Sequence, residues 1–333
     1  MGSPSGADDF SCGFGTSEHE GSLHHWRYEG PLEEVVQWAK EGFDRIAPPR
    51  GWEAATMALS KFGAHLPGGR DLRSAVEIAD KLGFETFQVF LHGPTTGKMP
   101  QGTEEHDREF RSMVEERDQT VFVHGPYLIS FGSSKDSVRE NSVEMLRKNL
   151  RRAERIGARG VIFHGGSSTG ASLEEGLRRL RETLLPVLEG LPEDSPKVIL
   201  EPTAGQGNSL VAKLDSIPAY LAALDDHPLL GLCLDTCHLL AAGEPLDEPD
   251  GGTNLLAGIA AYGLRDRLEL FHANGSAFER GAHRDRHANL ATGHCARELW
   301  GQLMGSGVPL ILETPGTGLR QDIELLRALS AQQ

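Results

Sequence analysis

The chain has 333 residues, 38% of them hydrophobic and 24% charged, the balance of an ordinary globular protein long enough to bury a large core. No window approaches the roughly 20 apolar residues of a membrane helix, and no basic-then-apolar leader opens the chain, which together point to the cytoplasm. A net charge of −15 argues against a simple basic nucleic-acid surface, and four scattered cysteines (Cys12, Cys233, Cys237, Cys295) exclude a disulfide framework and read as free thiols, expected to be buried.

Residues 1 to about 22, rich in Gly, Ser, Asp and Glu, have the composition of a flexible segment. Leu32, Val35, Val36, Ala39, Phe43 and Ile46 follow at helical spacing, and Pro48 and Pro49 end that helix. Residues 1–60 are therefore read as a flexible N-terminus with an extension helix, and 61–333 as the main domain. Short apolar runs then alternate with helical patterns. The runs are 61–65, 84–90, 120–124, 159–164, 197–201, 229–235, 267–272 and 309–313. Between them lie helical faces such as Leu146, Leu150, Ala153 and Ile156, or Leu177, Leu180, Leu184 and Leu188. Ser172 and Glu175 are spaced as a capping box for the latter. This rhythm predicts a (β/α)8 TIM barrel with an N-terminal helical extension. A doubly wound open sheet is the alternative.

The residues that end the runs carry the chemistry. Strand three ends in His124, four in His164, five in Glu201, six in Asp235, seven in His272 and eight in Glu313. In a parallel barrel these ends converge on one face. Alternation puts Phe122 with His124, Ile162 with His164, Ile199 with Glu201 and Ile311 with Glu313 on the inward side. A single such residue is more simply a satisfied core histidine or a loop-capping carboxylate. Six consecutive strands ending in imidazole or carboxylate predict a metal centre suited to zinc, manganese or iron. His238 follows Asp235 by three positions, and Asp285 and His287 are separated by one residue, so that alternation puts both on one side of an extended segment. Together they would form a further His/His/Asp group.

GAH (63–65), HGPYLISFG (124–132), FHGGS (163–167), EPTAGQGNSL (201–210), LDTCHLLAAG (234–243), HANG (272–275), DRH (285–287) and LILET (310–314) closely resemble the signature segments of endonuclease IV. That family comprises zinc-dependent apurinic/apyrimidinic endonucleases on the barrel just inferred, and the resemblance spans 61 to about 330. It implies three zinc ions, one of which manganese could replace. His124 and His164 match ligands of one, and Glu201 matches the carboxylate bridging it to a second. Asp235, His272 and Glu313 complete the second, and His238, Asp285 and His287 the third. Four carboxylates against three such ions would leave the site near about +2, which softens the objection raised by the acidic net charge. Glu201 and Glu313 are expected to orient the nucleophile as catalytic groups. Tyr127 matches a position that contacts the minor groove, and Arg286 and Lys98 are the candidate phosphate contacts.

The resemblance further implies that the chain acts, as a monomer, on double-stranded DNA with abasic sites. The expected cut is 5′ to the lesion, leaving a 3′-hydroxyl and a 5′-deoxyribose phosphate. The chain departs from the family in three places. The loop LHGPTTGKMP (91–100) replaces a polar, basic and aromatic DNA-penetrating segment, Gly275 stands where the family has an acidic residue, and the first 60 residues are an addition. His65 and His92 near the mouth are read as supporting groups rather than ligands. These departures leave three alternatives: a sugar isomerase or epimerase with one or two metals, a non-catalytic DNA-binding relative, and a nuclease redirected to a different lesion.

Overall fold

The computed structural model describes residues 59–95, 98 and 102–331. The flexible segment and helix expected over 1–60 lie outside these residues, apart from Leu59 and Ser60. The strands β1 (Phe62–Leu66), β2 (Thr86–Phe90), β3 (Thr120–His124), β4 (Gly160–His164), β5 (Lys197–Glu201), β6 (Leu230–Asp235) and β7 (Leu268–His272) follow one another in the chain. A two-stranded antiparallel ribbon, β8 (Gly275–Ser276) with β9 (His287–Ala288), interrupts the series before β10 (Leu310–Leu312). The seven strands and β10 pair in parallel into a closed barrel, in which β10 lies between β7 and β1. All eight apolar runs form barrel strands. No described helix is long and apolar enough to cross a membrane.

Two apolar layers hold the barrel, and the period-two alternation of the strands separates them. Inside it, Phe122, Ile162, Ile199, Cys233, Leu270 and Ile311 form a closed cluster with no solvent exposure. This is the inward face expected from the pairings at strands three, four, five and eight. The alternate residues, among them Val123, Phe163, Leu200, Leu234 and Leu312, face the surrounding helices. In the helix Asp136–Ile156, for example, Leu146, Leu150, Ala153 and Ile156 are buried at helical spacing. Each fully buried leucine there contributes roughly 1.5–3 kcal/mol. In the helix Leu173–Glu189, Ser172 accepts from the Glu175 backbone N–H at 3.1 Å. The Glu175 carboxylate turns instead to Arg178 and Arg179, so only half of the expected capping box is built.

Gly63, in the GAH segment, shows why one inward position must lack a side chain. A Cβ there would lie 1.7 Å from the Thr86 carbonyl oxygen on the adjacent strand. Because the obstacle is backbone, nothing can rotate away from it. Gly63→Ala is expected to prevent barrel closure, leaving insoluble chain where the wild type is soluble; a soluble variant with a wild-type melting temperature would contradict the packing argument.

Candidate metal centre

The parallel barrel brings His124, His164, Glu201, Asp235, His272 and Glu313 to one end. Register sets them side by side, with His164 opposite Glu201 and Asp235 opposite His272. Strand β10 stops at Leu312, one residue short of the predicted run. The Glu313 N–H donates to the side-chain oxygen of Asn274 at 2.8 Å rather than to a neighbouring strand. Asp235 ends β6 and also caps the next helix, accepting from the His238 N–H at 2.9 Å. That turn of helix brings the His238 ring back over the same end of the barrel. The ribbon β8–β9 holds the arm that carries Asp285 and His287 across it.

Glu201 is the hub. One carboxylate oxygen lies 3.2 Å from His124 Nε2 and 3.5 Å from His164 Nε2. The other lies 3.1 Å from His272 Nδ1 and 3.2 Å from His238 Nδ1. Glu313 Oε2 is 3.2 Å from His272 Nδ1, and Asp235 Oδ2 is 3.5 Å from His287 Nε2. Asp285 spans the last two imidazoles, 3.2 Å from His238 Nε2 and 3.4 Å from His287 Nε2. In three sets, His124/His164/Glu201, Asp235/His272/Glu313 and Asp235/His238/His287, all ligand atoms lie within 4.8 Å of one another. The expected His238/Asp285/His287 group is not itself one of these sets: His238 and His287 group with Asp235, and Asp285 lies against both rings while grouping with Cys237 and His287. Only His164 and Asp285 keep more than a fifth of their side chains exposed, 22% and 31%, so the cluster opens to solvent on that side.

The hydrogen bonds around the imidazoles fit them for metal. Ring nitrogens facing a carbonyl oxygen must be the donors. Nδ1–H of His124 donates to Gly125 O at 2.7 Å, that of His238 to Pro202 O at 3.1 Å and that of His287 to Glu313 O at 3.2 Å. Each ring is thereby left with an Nε2 lone pair aimed at a carboxylate. Outer partners fix metal-binding histidines in this way. A lone pair facing a carboxylate at 3.2–3.5 Å is repulsive without a positive charge between them. A divalent cation satisfies the arrangement.

Without a metal, protons supply that charge. Burial works against a charged His238 ring, but Asp235 and Asp285 outweigh it and hold its pKa well above the usual histidine range. Burial opposes a charged His272 ring too, and Cys233, Glu313 and Glu201 reverse it. The Cys233 thiol is itself pushed up to about 12 by burial, so near neutrality the carboxylates do this. Burial alone would raise Glu201 and Glu313; the surrounding histidines, His272 foremost, hold both well below the usual carboxylate range. Metal uptake must displace the histidine protons, so affinity rises with pH through the range in which they leave.

Of the other expected groups, Tyr127 lies at the mouth, 37% exposed, its ring 5.6 Å from His124 and 5.4 Å from His164. Its N–H donates to Pro94 O at 3.2 Å, tying the loops after β2 and β3 together. Lys98 is exposed, and its carbonyl accepts from the Gly93 N–H at 3.1 Å. Arg286 is exposed beside β9 and donates to Asp285 O at 2.6 Å. His92 sits against the carbonyls of Gly93 and His124 at 3.1 and 3.2 Å. Cys233, Cys237 and Cys295 are free and buried, and Cys12 lies outside the described residues.

Residues 76–329 match the family model described as xylose isomerase-like TIM barrel. The probable endonuclease 4 of Streptomyces avermitilis is 43% identical over 286 residues, which cover 83% of this chain and 92% of that relative. The probable endonuclease 4 of Carboxydothermus hydrogenoformans is 34% identical, over 80% of this chain and 95% of its own. The chain belongs to the endonuclease IV family. The crystal structure of endonuclease IV from Thermus thermophilus superposes with a TM-score of 0.71 at 28% identity, covering 82% of this chain and 100% of that one.

Against that family pattern, Gly275 has a local cause. A Cβ at this position would lie 2.7 Å from Asn289 O and 2.8 Å from Ala288 O, so the ribbon as built here leaves no room for an acidic side chain. Two residues at the site were not singled out from the sequence. Asn274 is fully buried and donates to Asp235 Oδ2 at 2.7 Å and Glu313 Oε2 at 3.3 Å. Gln88, equally buried, contacts His65, His272 and Glu313. The available signal for Gln88 was a lone amide at an inward position of an apolar strand, and for Asn274 an amide two residues after the end of β7.

Proposed function

We propose that this member of the endonuclease IV family is a zinc-dependent apurinic/apyrimidinic endonuclease. It hydrolyses the phosphodiester 5′ to an abasic site in double-stranded DNA, giving a 3′-hydroxyl and a 5′-deoxyribose phosphate. The observation that carries the reading is the convergence of nine imidazole and carboxylate side chains at one barrel end, the group His238, Asp285 and His287 included. Carbonyl chemistry of the sugar isomerase kind would not require that group.

In this reading His124, His164 and Glu201 hold one zinc, and Glu201, Asp235, His272 and Glu313 a second. His238, Asp285 and His287 hold the third, where manganese is the alternative. Zinc held there supplies Lewis acidity toward a phosphoryl group and a nucleophile at neutral pH. Glu201 and Glu313 are the carboxylates best placed to accept a proton from that nucleophile and to orient it. The exposed edges of His164 and Asp285 mark the side from which a phosphate enters. Tyr127 offers an aromatic surface to the duplex there, and Arg286 and Lys98 offer positive charge to its backbone. An abasic sugar reaches the centre at low cost because no base must be unpaired or unstacked.

The purified, zinc-loaded protein is expected to cut a duplex with one abasic site once, on the 5′ side, as read on a denaturing gel. A chelator should stop the reaction and added zinc restore it. An intact duplex after incubation with fully metallated protein would overturn the proposal.

A further inference from the structure

β1 and β2 are the two barrel strands that bring none of the nine residues to the site. They carry His65 and Gln88 instead, and both side chains turn to the residues opposite. We propose that Gln88 is a positioning residue that fixes His272 and Glu313 for capture of the metal they share; the inference rests on the metal-dependent reading above.

The hydrogen bonds admit one assignment of protons. An ionised carboxylate only accepts, so the Gln88 amide nitrogen is the atom that faces Glu313 Oε1, at 2.7 Å. This orientation turns the amide oxygen to His272 Nε2, 2.8 Å away. An amide oxygen cannot donate, so Nε2 carries the hydrogen. The ring therefore presents Nδ1 to Glu201 and Glu313, 3.1 and 3.2 Å away. The other amide hydrogen reaches His65 Nδ1 at 2.8 Å, which must then accept. His65 is itself held against the Phe90 ring at 4.4 Å. A single neutral amide thus selects the tautomers of two histidines and the rotation of one carboxylate. His124, His238 and His287 obtain the same service from backbone carbonyls. Among these four, only His272 has a side chain as its outer partner, one that mutation can remove.

Gln88→Met and Gln88→Leu keep the approximate volume and delete all three bonds. Metal-stripped full-length proteins would be titrated with zinc against a chelating dye, and the melting temperature recorded with and without zinc. Both variants are expected to bind one zinc equivalent about 10–100-fold more weakly than wild type, and to show a smaller zinc-induced rise in melting temperature. A purely structural amide would lower the melting temperature of the stripped protein and leave the zinc-induced rise and the zinc affinity at wild-type values. That result in either variant overturns the inference. Wild-type protein that takes up no zinc would overturn the metal reading itself, and this inference with it.

Discussion

Glu201→Gln is expected to abolish incision while the barrel remains folded. The carboxylate is buried and lies within 3.1–3.5 Å of His124, His164, His238 and His272. An amide of the same shape fills the same space, so the packing around Ile199 and Leu200 is undisturbed. It cannot supply the negative charge that two metal groups share. Loss of an outer partner of a metal ligand costs about 10–100-fold, and loss of a shared ligand should exceed the upper end of that range. The variant should show wild-type circular dichroism, bind fewer zinc equivalents than wild type and leave an abasic duplex uncut. Incision at even a tenth of the wild-type rate by the zinc-loaded variant would remove Glu201 from its assigned role.

A large effect on the melting temperature of a folded variant is expected away from this centre. Asp107, at the start of the helix Glu104–Glu116, accepts from Arg152 at 3.0 Å and Arg155 at 2.7 Å, both on Asp136–Ile156. Arg152 is 2% exposed and also donates to Gly69 O and Arg70 O at 2.8 and 2.9 Å. The pair ties two helices to the loop after β1. Asp107→Ala leaves the Arg152 guanidinium buried with no counter-charge, which costs about 3–5 kcal/mol. At this chain length the melting temperature should fall by on the order of 5–10 °C. Removing Asp225 from its exposed pair with Arg181 is expected to lower the melting temperature far less, because solvent screens that pair. Thermal melts of the two variants side by side check the contrast, and equal shifts would contradict it.

The eight strands and the six residues that end strands three to eight were legible because one periodicity specifies both, whereas His238, Asp285 and His287 rested on local spacing and the family resemblance. Alternation that turns Phe122 and Ile162 into the barrel also turns His124 and His164 inward one pleat later. The parallel direction then stacks those ends together. Gln88 obeys the same alternation, and Asn274 lies two residues after His272 once β7 has ended, yet neither amide has a preferred partner along the chain. His272, which Gln88 holds, is 184 positions away. Partner choice across such a distance arises only when the barrel closes. Glu175 illustrates a local limit: its spacing from Ser172 suits a capping box, but Arg178 and Arg179 lie within reach of the same carboxylate and are charged. Gly275 stood out as a departure from the family, and its cause lies in the Asn289 and Ala288 carbonyls, which arrive from another segment.

The parallel registers that place His164 beside Glu201 and Asp235 beside His272 make the backbone ladder a ruler for the site. Neighbouring strands stand about 4.7–4.9 Å apart whatever their side chains, so the spacing of successive donors is set by peptide hydrogen bonds. The entropy of ordering these groups is lost when the sheet closes into a cylinder, before any ion arrives. Binding then needs little further ordering, and an ion of the wrong radius meets a frame that resists adjustment.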